Sequence, residues 1–215
     1  MVLRPPEELE EIKRRFLEHY KGSTTELNYT NDYELLVAII LSAQCTDKRV
    51  NMITPELFKK YPDTKTLSCA EVEDVMELIK SCNFFKNKAK NLVAMAKTVE
   101  EKHHGKIPRE HKELIKLPGV GNKTANVFLI ELEGQNRMAV DTHVFRVVHR
   151  LGITDAKTVE ETEKDLVEAF KTDLNELHQA FVLFGRYICT AKNPKCEKCF
   201  VPEFCISKEN FKPRG

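Results

Sequence analysis

The sequence predicts an all-α fold, on three observations. Apolar residues recur every three to four positions along most of the chain, the period of a helix with one buried face. The few β-branched runs are short and none alternates cleanly, so no sheet is expected. Leu35–Leu41 is apolar at every position, and such a helix needs other helices on all sides.

Each element follows from local signals. A first helix, 7–20, opens after Pro5-Pro6, repeats apolar residues at Leu9, Ile12, Phe16 and Tyr20, and ends at Gly22. Asp32 is the expected cap of a buried helix over 33–43, and Asp47 of a helix to Lys60, closed by Tyr61-Pro62. Helices follow over 66–81 and 86–104, the second stopped by Gly105. Pro108 is expected to start a short helix to Lys116. Leu117-Pro118-Gly119-Val120-Gly121 reads as a turn, followed by helices over 122–132, 142–151, 158–171 and 174–188.

Composition excludes several classes. The chain has 215 residues, 31% charged and 41% hydrophobic, with a net charge of +1, which suits a globular protein with a sizeable core. Its longest apolar run falls far short of the roughly 20 residues of a bilayer span. The opening MVLRPPEELEE has nothing like a signal peptide, so an intracellular protein without a membrane partner is expected. Seven Cys in such a protein suggest a metal site before a disulfide framework.

Four of the seven, Cys189, Cys196, Cys199 and Cys205, follow the pattern C-x6-C-x2-C-x5-C. Thiolates this close in sequence can converge on one metal centre at little loop-closure cost. An all-Cys set admits zinc or an iron–sulfur cluster. Structural zinc usually takes two separated C-x2-C pairs. One such pair and no His suit a [4Fe–4S] cluster better. Cys45, Cys69 and Cys82 fall in helical stretches and read as small core residues.

The turn at 117–121 joins two helices. Gly119 and Gly121 can adopt positive φ and let backbone N–H groups approach a ligand. The N–H groups opening the next helix carry the positive end of its dipole, so the turn can hold an anion without a charged side chain. Leu117 and Val120 can anchor it. This is the layout of a helix-hairpin-helix, over about 109–132, which grips one DNA phosphate without reading sequence. It is not a nucleotide P-loop, because the G-x4-G-K-S/T spacing and the preceding strand are missing. Taken alone, the same residues also describe a plain connecting turn.

Lys123 lies in the first turn of that helix, where a cation is electrostatically misplaced. That field favours the neutral amine, the nucleophilic form. A surface lysine on a phosphate remains the simpler reading at this point. Asp141 follows eighteen residues on, in Val140-Asp141-Thr142-His143. It can cap the next helix, or offer a carboxylate that handles protons and steadies a developing cation. His143 can be its partner or a structural histidine.

Together these residues resemble the endonuclease III family. L-P-G-V-G-x-K-T-A, then V-D-T-H, then the four-Cys tail, occur in the family's order and spacing. Glu34–Gln44 and Phe84–Asn91 correspond in register, so the resemblance spans about residues 30 to 205. It implies a two-lobed helical fold, with a six-helix lobe over 25–136 and a second lobe of 1–24 plus 137–215 that carries a 4Fe–4S loop. A DNA cleft would lie between them. It implies a bifunctional DNA glycosylase and AP lyase of base-excision repair, acting as a monomer on double-stranded DNA that holds damaged pyrimidines or abasic sites. Lys123 would attack C1′ of the damaged nucleotide, and Asp141 would assist and stabilise the sugar cation. The resulting Schiff base would permit β-elimination 3′ to the lesion. Gln44 would fill the hole left by the flipped base and Phe84 would wedge into the opposite strand. Gly119, Val120, Gly121, His143, Lys195 and Lys198 would complete the DNA contacts. The chain departs from the family at Phe84 (usually Leu), Cys45 (usually Ala) and Asn122 (usually basic).

Two rivals explain less. A DNA-binding module without catalysis leaves Lys123 and Asp141 without work. A small iron–sulfur redox carrier leaves the hairpin unexplained. The charge distribution sides with DNA. Residues 80–125 hold eleven Lys/Arg against four acids, and 186–215 hold seven against three, while 155–176 hold eight acids against three Lys. The near-neutral total conceals a polarised chain.

Overall fold

A computed structural model describes residues 1–211, apart from the side chains of Glu209 and Phe211. Lys212 and Arg214, part of the basic tail above, lie outside the described residues. Among the described residues there is no β-strand, only an isolated bridge between Val2 and Thr154. The helices are α1 (Pro6–His19), α2 (Asp32–Ser42), α3 (Asp47–Lys60), α4 (Thr64–Ser68), α5 (Val72–Ile79), α6 (Phe85–His103), α7 (His111–Leu114), α8 (Asn122–Glu133), α9 (Thr142–Arg150), α10 (Val159–Phe170) and α11 (Leu174–Tyr187). Three short 3-10 turns follow in the Cys-rich tail.

The chain forms two compact units. One is Thr25–Glu133 and holds α2–α8. At its centre α2 buries Tyr33 and every residue from Leu35 to Leu41. Truncating one of these leucines to Ala would cost about 2–5 kcal/mol. Around α2 pack α3, α6 and α8, which supply Val50, Leu57, Leu92, Val99, Phe128 and Leu129 to the same core. The other unit is Met1–Thr24 with the chain from Gly134 on. Here α1 packs on α10 and α11, and α9 packs on α11. Phe16 is fully buried and meets Phe181, Phe184 and Phe200 edge-on, with ring centroids 4.7–5.1 Å apart. These offset arrangements are the ones aromatic quadrupoles favour.

Several sequence expectations need correction. The cap of α2 is Asn31, whose side chain accepts from Glu34 N–H, and Asp32 is already helical. The cap of α3 is Thr46, which accepts from Arg49 N–H, instead of Asp47. In both places two capping residues stand side by side, and the outer one wins because its extended backbone lets the side chain reach the third N–H. The expected helix over 66–81 is two helices. A capping box of Asp63 and Thr66 starts α4, which ends at Ser68, and Glu71 in extended conformation starts α5. The break lets Leu67, Val75 and Ile79 all reach the core. Pro108 does not open α7, which begins at His111. Cys69, expected in a core, is exposed.

Candidate active site

The helix-hairpin-helix is built by α7 and α8. Leu117 and Val120 are 2% and 6% exposed, and Val120 N–H donates to Leu117 O at 3.1 Å, which pins the turn to the core. Gly119 has φ +78°, and a Cβ there would meet Asn91 Cβ at 2.9 Å. Glycine is therefore required twice over, by conformation and by space. Gly121 does not take the positive φ expected of it, and a Cβ there would meet open space. Its carbonyl instead accepts the first helical bond, from Ala125 N–H at 3.0 Å. The N–H groups before that bond open the positive end of α8. His111 Nε2 lies 2.8 Å from Asn122 Oδ1, tying the two helices at their open ends.

Lys123 stands partly buried in the first turn of α8, without a hydrogen bond or ion pair. Its basic neighbours are engaged: Lys116 with Glu113 at 2.7 Å, Lys112 with Glu110 at 3.5 Å, and Arg109 with Asp32 and Glu133. The hairpin thus neutralises its peripheral cations and leaves this amine unpaired.

Asp141 caps α9 in the second unit. Its Oδ1 alone accepts both capping bonds, from His143 N–H at 2.9 Å and Val144 N–H at 2.8 Å. The second oxygen, Oδ2, stays unbonded beside the positive end of α9. Capping and chemistry are therefore compatible in one carboxylate. His143 lies in the same turn. Arg146 Nη2 donates to His143 Nδ1 at 3.1 Å, which assigns the imidazole proton to Nε2. Burial is the main cause that holds the His143 pKa below its usual range, so the ring is neutral. Gly185 of α11 lets α9 approach closely, since a Cβ there would meet His143 Cβ at 2.9 Å.

Gln44 and Phe84 are brought together. Gln44 follows α2 and Phe84 precedes α6, and both take left-handed backbone, with φ of 52° and 57°. Such conformations in non-glycine residues cost about 1–3 kcal/mol and gather where function demands them. Asn83 Nδ2 donates to Gln44 O at 2.7 Å and links the loops. Lys88 is 6% exposed, and its ammonium donates to Leu41 O at 2.8 Å and Ala43 O at 2.7 Å. It satisfies the carbonyls at the end of α2 and so braces the approach to Gln44. Phe84 is 63% exposed, an apolar residue presented to solvent on a braced loop. Sequence reading missed Lys88 and Asn83. The cluster K-N-K-A-K looks solvated, and only its spacing from α6's apolar face hinted that one lysine turns inward.

Cys189, Cys196, Cys199 and Cys205 line one cavity, with Arg150, Phe184, Pro194, Lys195 and Pro202 on its wall. Arg150 Nη1 donates to Cys189 Sγ at 3.3 Å and to Thr190 O at 2.8 Å, while Arg146 Nε donates to Cys189 O at 2.9 Å. Arg4, just before α1, donates to Phe204 O, and Arg15 of α1 donates to Phe200 O. Four arginines that sequence reading passed over therefore hold the loop. Burial pushes the Cys199 thiol up to about 11, and burial with the neighbouring thiols raises Cys196. Among the described residues no group of three or more His, Cys, Asp or Glu is disposed to hold a metal ion. Lys195 and Lys198 are exposed on this loop and form no ion pair.

A helical fold with a glycine hairpin, an unpaired lysine after it and a capping aspartate defines a class of DNA base-excision proteins, and the comparisons bear on it directly. The family model of the HhH-GPD superfamily base excision DNA repair protein matches residues 37–172. Endonuclease III of Rickettsia conorii (strain ATCC VR-613 / Malish 7) is 43% identical over 92% of this chain and 94% of its own length. Endonuclease III of Bacillus subtilis (strain 168) is 44% identical over 88% of each. A solved trapped endonuclease III–DNA covalent intermediate superposes with a TM-score of 0.92 at 35% identity, over 97% of this chain and 99% of that one. The chain belongs to the HhH-GPD superfamily of base-excision DNA repair proteins and, within it, to the endonuclease III family. It is a DNA glycosylase of base-excision repair.

Proposed function

We propose that this enzyme removes oxidised pyrimidines from double-stranded DNA and cuts the strand with Lys123. The carrying observation is the unpaired amine of Lys123 at the open end of α8, amid cations that are all engaged. In this reading Lys123 Nζ attacks C1′, the glycosidic bond breaks and the base leaves. Asp141 Oδ2, free of the capping bonds, stabilises the positive charge that develops on the sugar. The amine then forms a Schiff base, and loss of a C2′ proton expels the 3′ phosphate. The solved endonuclease III complexes with DNA, one of them a trapped covalent intermediate, support this reading.

DNA would be held at three places. The hairpin N–H groups around Gly119, Val120 and Gly121 take one phosphate. Gln44 enters the space vacated by the extruded base while Phe84 wedges the opposite strand, offsetting an unstacking cost of a few kcal/mol. Lys195 and Lys198 meet phosphate on the Cys loop, and the neutral His143 offers its Nε2–H. The four cysteines suit a 4Fe–4S cluster: an all-thiolate set lines one cavity, and Arg150 and Arg146 already direct donors at Cys189. When bound, the cluster supplies a rigid, cross-linked loop that presents Lys195 and Lys198. Monomeric, intracellular action on DNA completes the proposal.

The test is excision on a panel of lesion duplexes with wild type and Lys123→Gln. Oxidised pyrimidines are expected to be released and the strand cut by wild type. The variant is expected to bind duplex and cut nothing. Strand cleavage by Lys123→Gln at the wild-type rate would reject Lys123.

A further inference from the structure

The segment that leads into Asp141 is held by α11. Met138, Ala139 and Val140 are buried and belong to neither helix nor strand, so their backbone groups must find partners elsewhere. Asn136 Oδ1 accepts from Leu174 N–H at 2.9 Å, at an end of α11 to which Asp173 gives no side-chain cap. One turn on, the buried His178 meets Ala139 O through Nδ1 at 2.8 Å. A carbonyl only accepts, so this ring nitrogen carries the proton. Two turns further, Gly185 makes room for His143. Positions 174, 178 and 185 are four and seven apart and therefore share one stripe of the helix. Asp141 lies midway between the last two contacts, two residues from Ala139 and two from His143.

We propose that His178 is a positioning residue for Asp141, aiming its unbonded oxygen by holding the carbonyl of Ala139. The inference rests on the role proposed above for Asp141 in base removal. The capping bonds of α9 both fall on Oδ1, so they leave the direction of Oδ2 to the backbone that enters residue 141. His178 fixes that backbone. Among the described residues no backbone N–H pairs with Ala139 O. Without the imidazole a buried carbonyl loses its donor, and the peptide turns to find another. A displacement of about 1 Å in a reacting group can cost about a hundredfold in rate.

Two variants separate the donor from the bulk. His178→Leu keeps an apolar side chain and removes the N–H. His178→Asn keeps an N–H one bond beyond Cγ, where Nδ1 stands. Each is assayed by single-turnover excision from a duplex holding one thymine glycol, and by cleavage of a ready-made abasic-site duplex. In the second substrate the base is already gone, so the charge that Asp141 stabilises at its departure does not arise. Affinity is read by anisotropy with an uncleavable tetrahydrofuran duplex.

His178→Leu is expected to slow excision about 10- to 100-fold, while abasic-site cleavage and affinity stay near wild type. His178→Asn is expected to recover most of the loss. An equal loss on both substrates makes His178 a folding residue only and overturns the inference, as does a His178→Asn no faster than His178→Leu. Asp141→Asn is run beside them. Wild-type excision by Asp141→Asn removes the reading of Asp141 and this inference with it, whereas an impaired Asp141→Asn beside an unimpaired His178→Leu overturns this inference alone. Nitrogen NMR of the wild-type imidazole is expected to show a protonated Nδ1. A bare Nδ1 overturns the bond to Ala139 O, whether or not the leucine variant folds.

Discussion

Replacing Lys88 by Met tests the bracing of the Gln44 loop. The substitution keeps length and apolar stem but removes the ammonium that donates to Leu41 O and Ala43 O. Ala43 is exposed, so water can replace the donor at its carbonyl. Leu41 is fully buried, and its carbonyl keeps only the weak Cys82 thiol. Losing a charged donor to one buried carbonyl costs about 1–3 kcal/mol, and relief from burying an ammonium offsets part of it. A net loss of about 1–2 kcal/mol follows, or about 3–6 °C in a chain of this size. The loop of Gln44 also loses its anchor, so excision is expected to fall further than stability alone explains. The assay is circular-dichroism melting beside single-turnover excision at a temperature where both proteins are folded. Wild-type melting and wild-type excision together would refute the bracing role.

Further outcomes separate chemistry from folding. Asp141→Asn keeps an effective helix cap, so its melting temperature is expected to stay within about 1–2 °C of wild type while excision is lost; unimpaired excision would remove Asp141 from the reaction. Gly119→Ala places a methyl 2.9 Å from Asn91 Cβ at φ +78°, and should weaken binding to duplexes with and without lesions alike, read by fluorescence anisotropy. Gly185→Ala drives a Cβ to 2.9 Å from His143 Cβ and is expected to cost about 1–3 kcal/mol in thermal melting by forcing α9 from α11. For His143 the folded pKa lies below the ordinary 6.5, so the unfolded chain takes up the proton first. Its contribution to stability is full above about pH 6.5 and declines as pH falls below it. His143→Gln should flatten that part of the stability–pH curve, measured by urea denaturation.

Much of this was readable in order along the chain, because the signals were local. The apolar run Leu35–Leu41 announced a helix buried on all sides, and α2 is buried throughout. Leu117, Gly119 and Val120 carried the hairpin within the five residues of the turn. The four cysteines stood out by density, and they line one cavity. What stayed hidden depends on partners remote in sequence. Lys88 reads as one of several surface lysines until the end of α2, more than forty residues earlier, supplies its carbonyls. Arg4 and Arg15 meet the Cys loop about 200 residues downstream, which no periodicity reveals. The break at 69–71 is hidden in the sequence because apolar spacing continues across it while the backbone turns. Of the two hairpin glycines, Gly119 alone takes the left-handed conformation, a difference no letter of the motif encodes.

The central claim, that Lys123 is the nucleophile, is tested most directly by locating the adduct. The protein is incubated with an abasic-site duplex, reduced with borohydride, digested, and the modified peptide sequenced by mass spectrometry. The sugar remnant is expected on Lys123 and on no other amine. An adduct on Lys88, Lys116 or the N-terminus, or no adduct in active enzyme, would contradict the account.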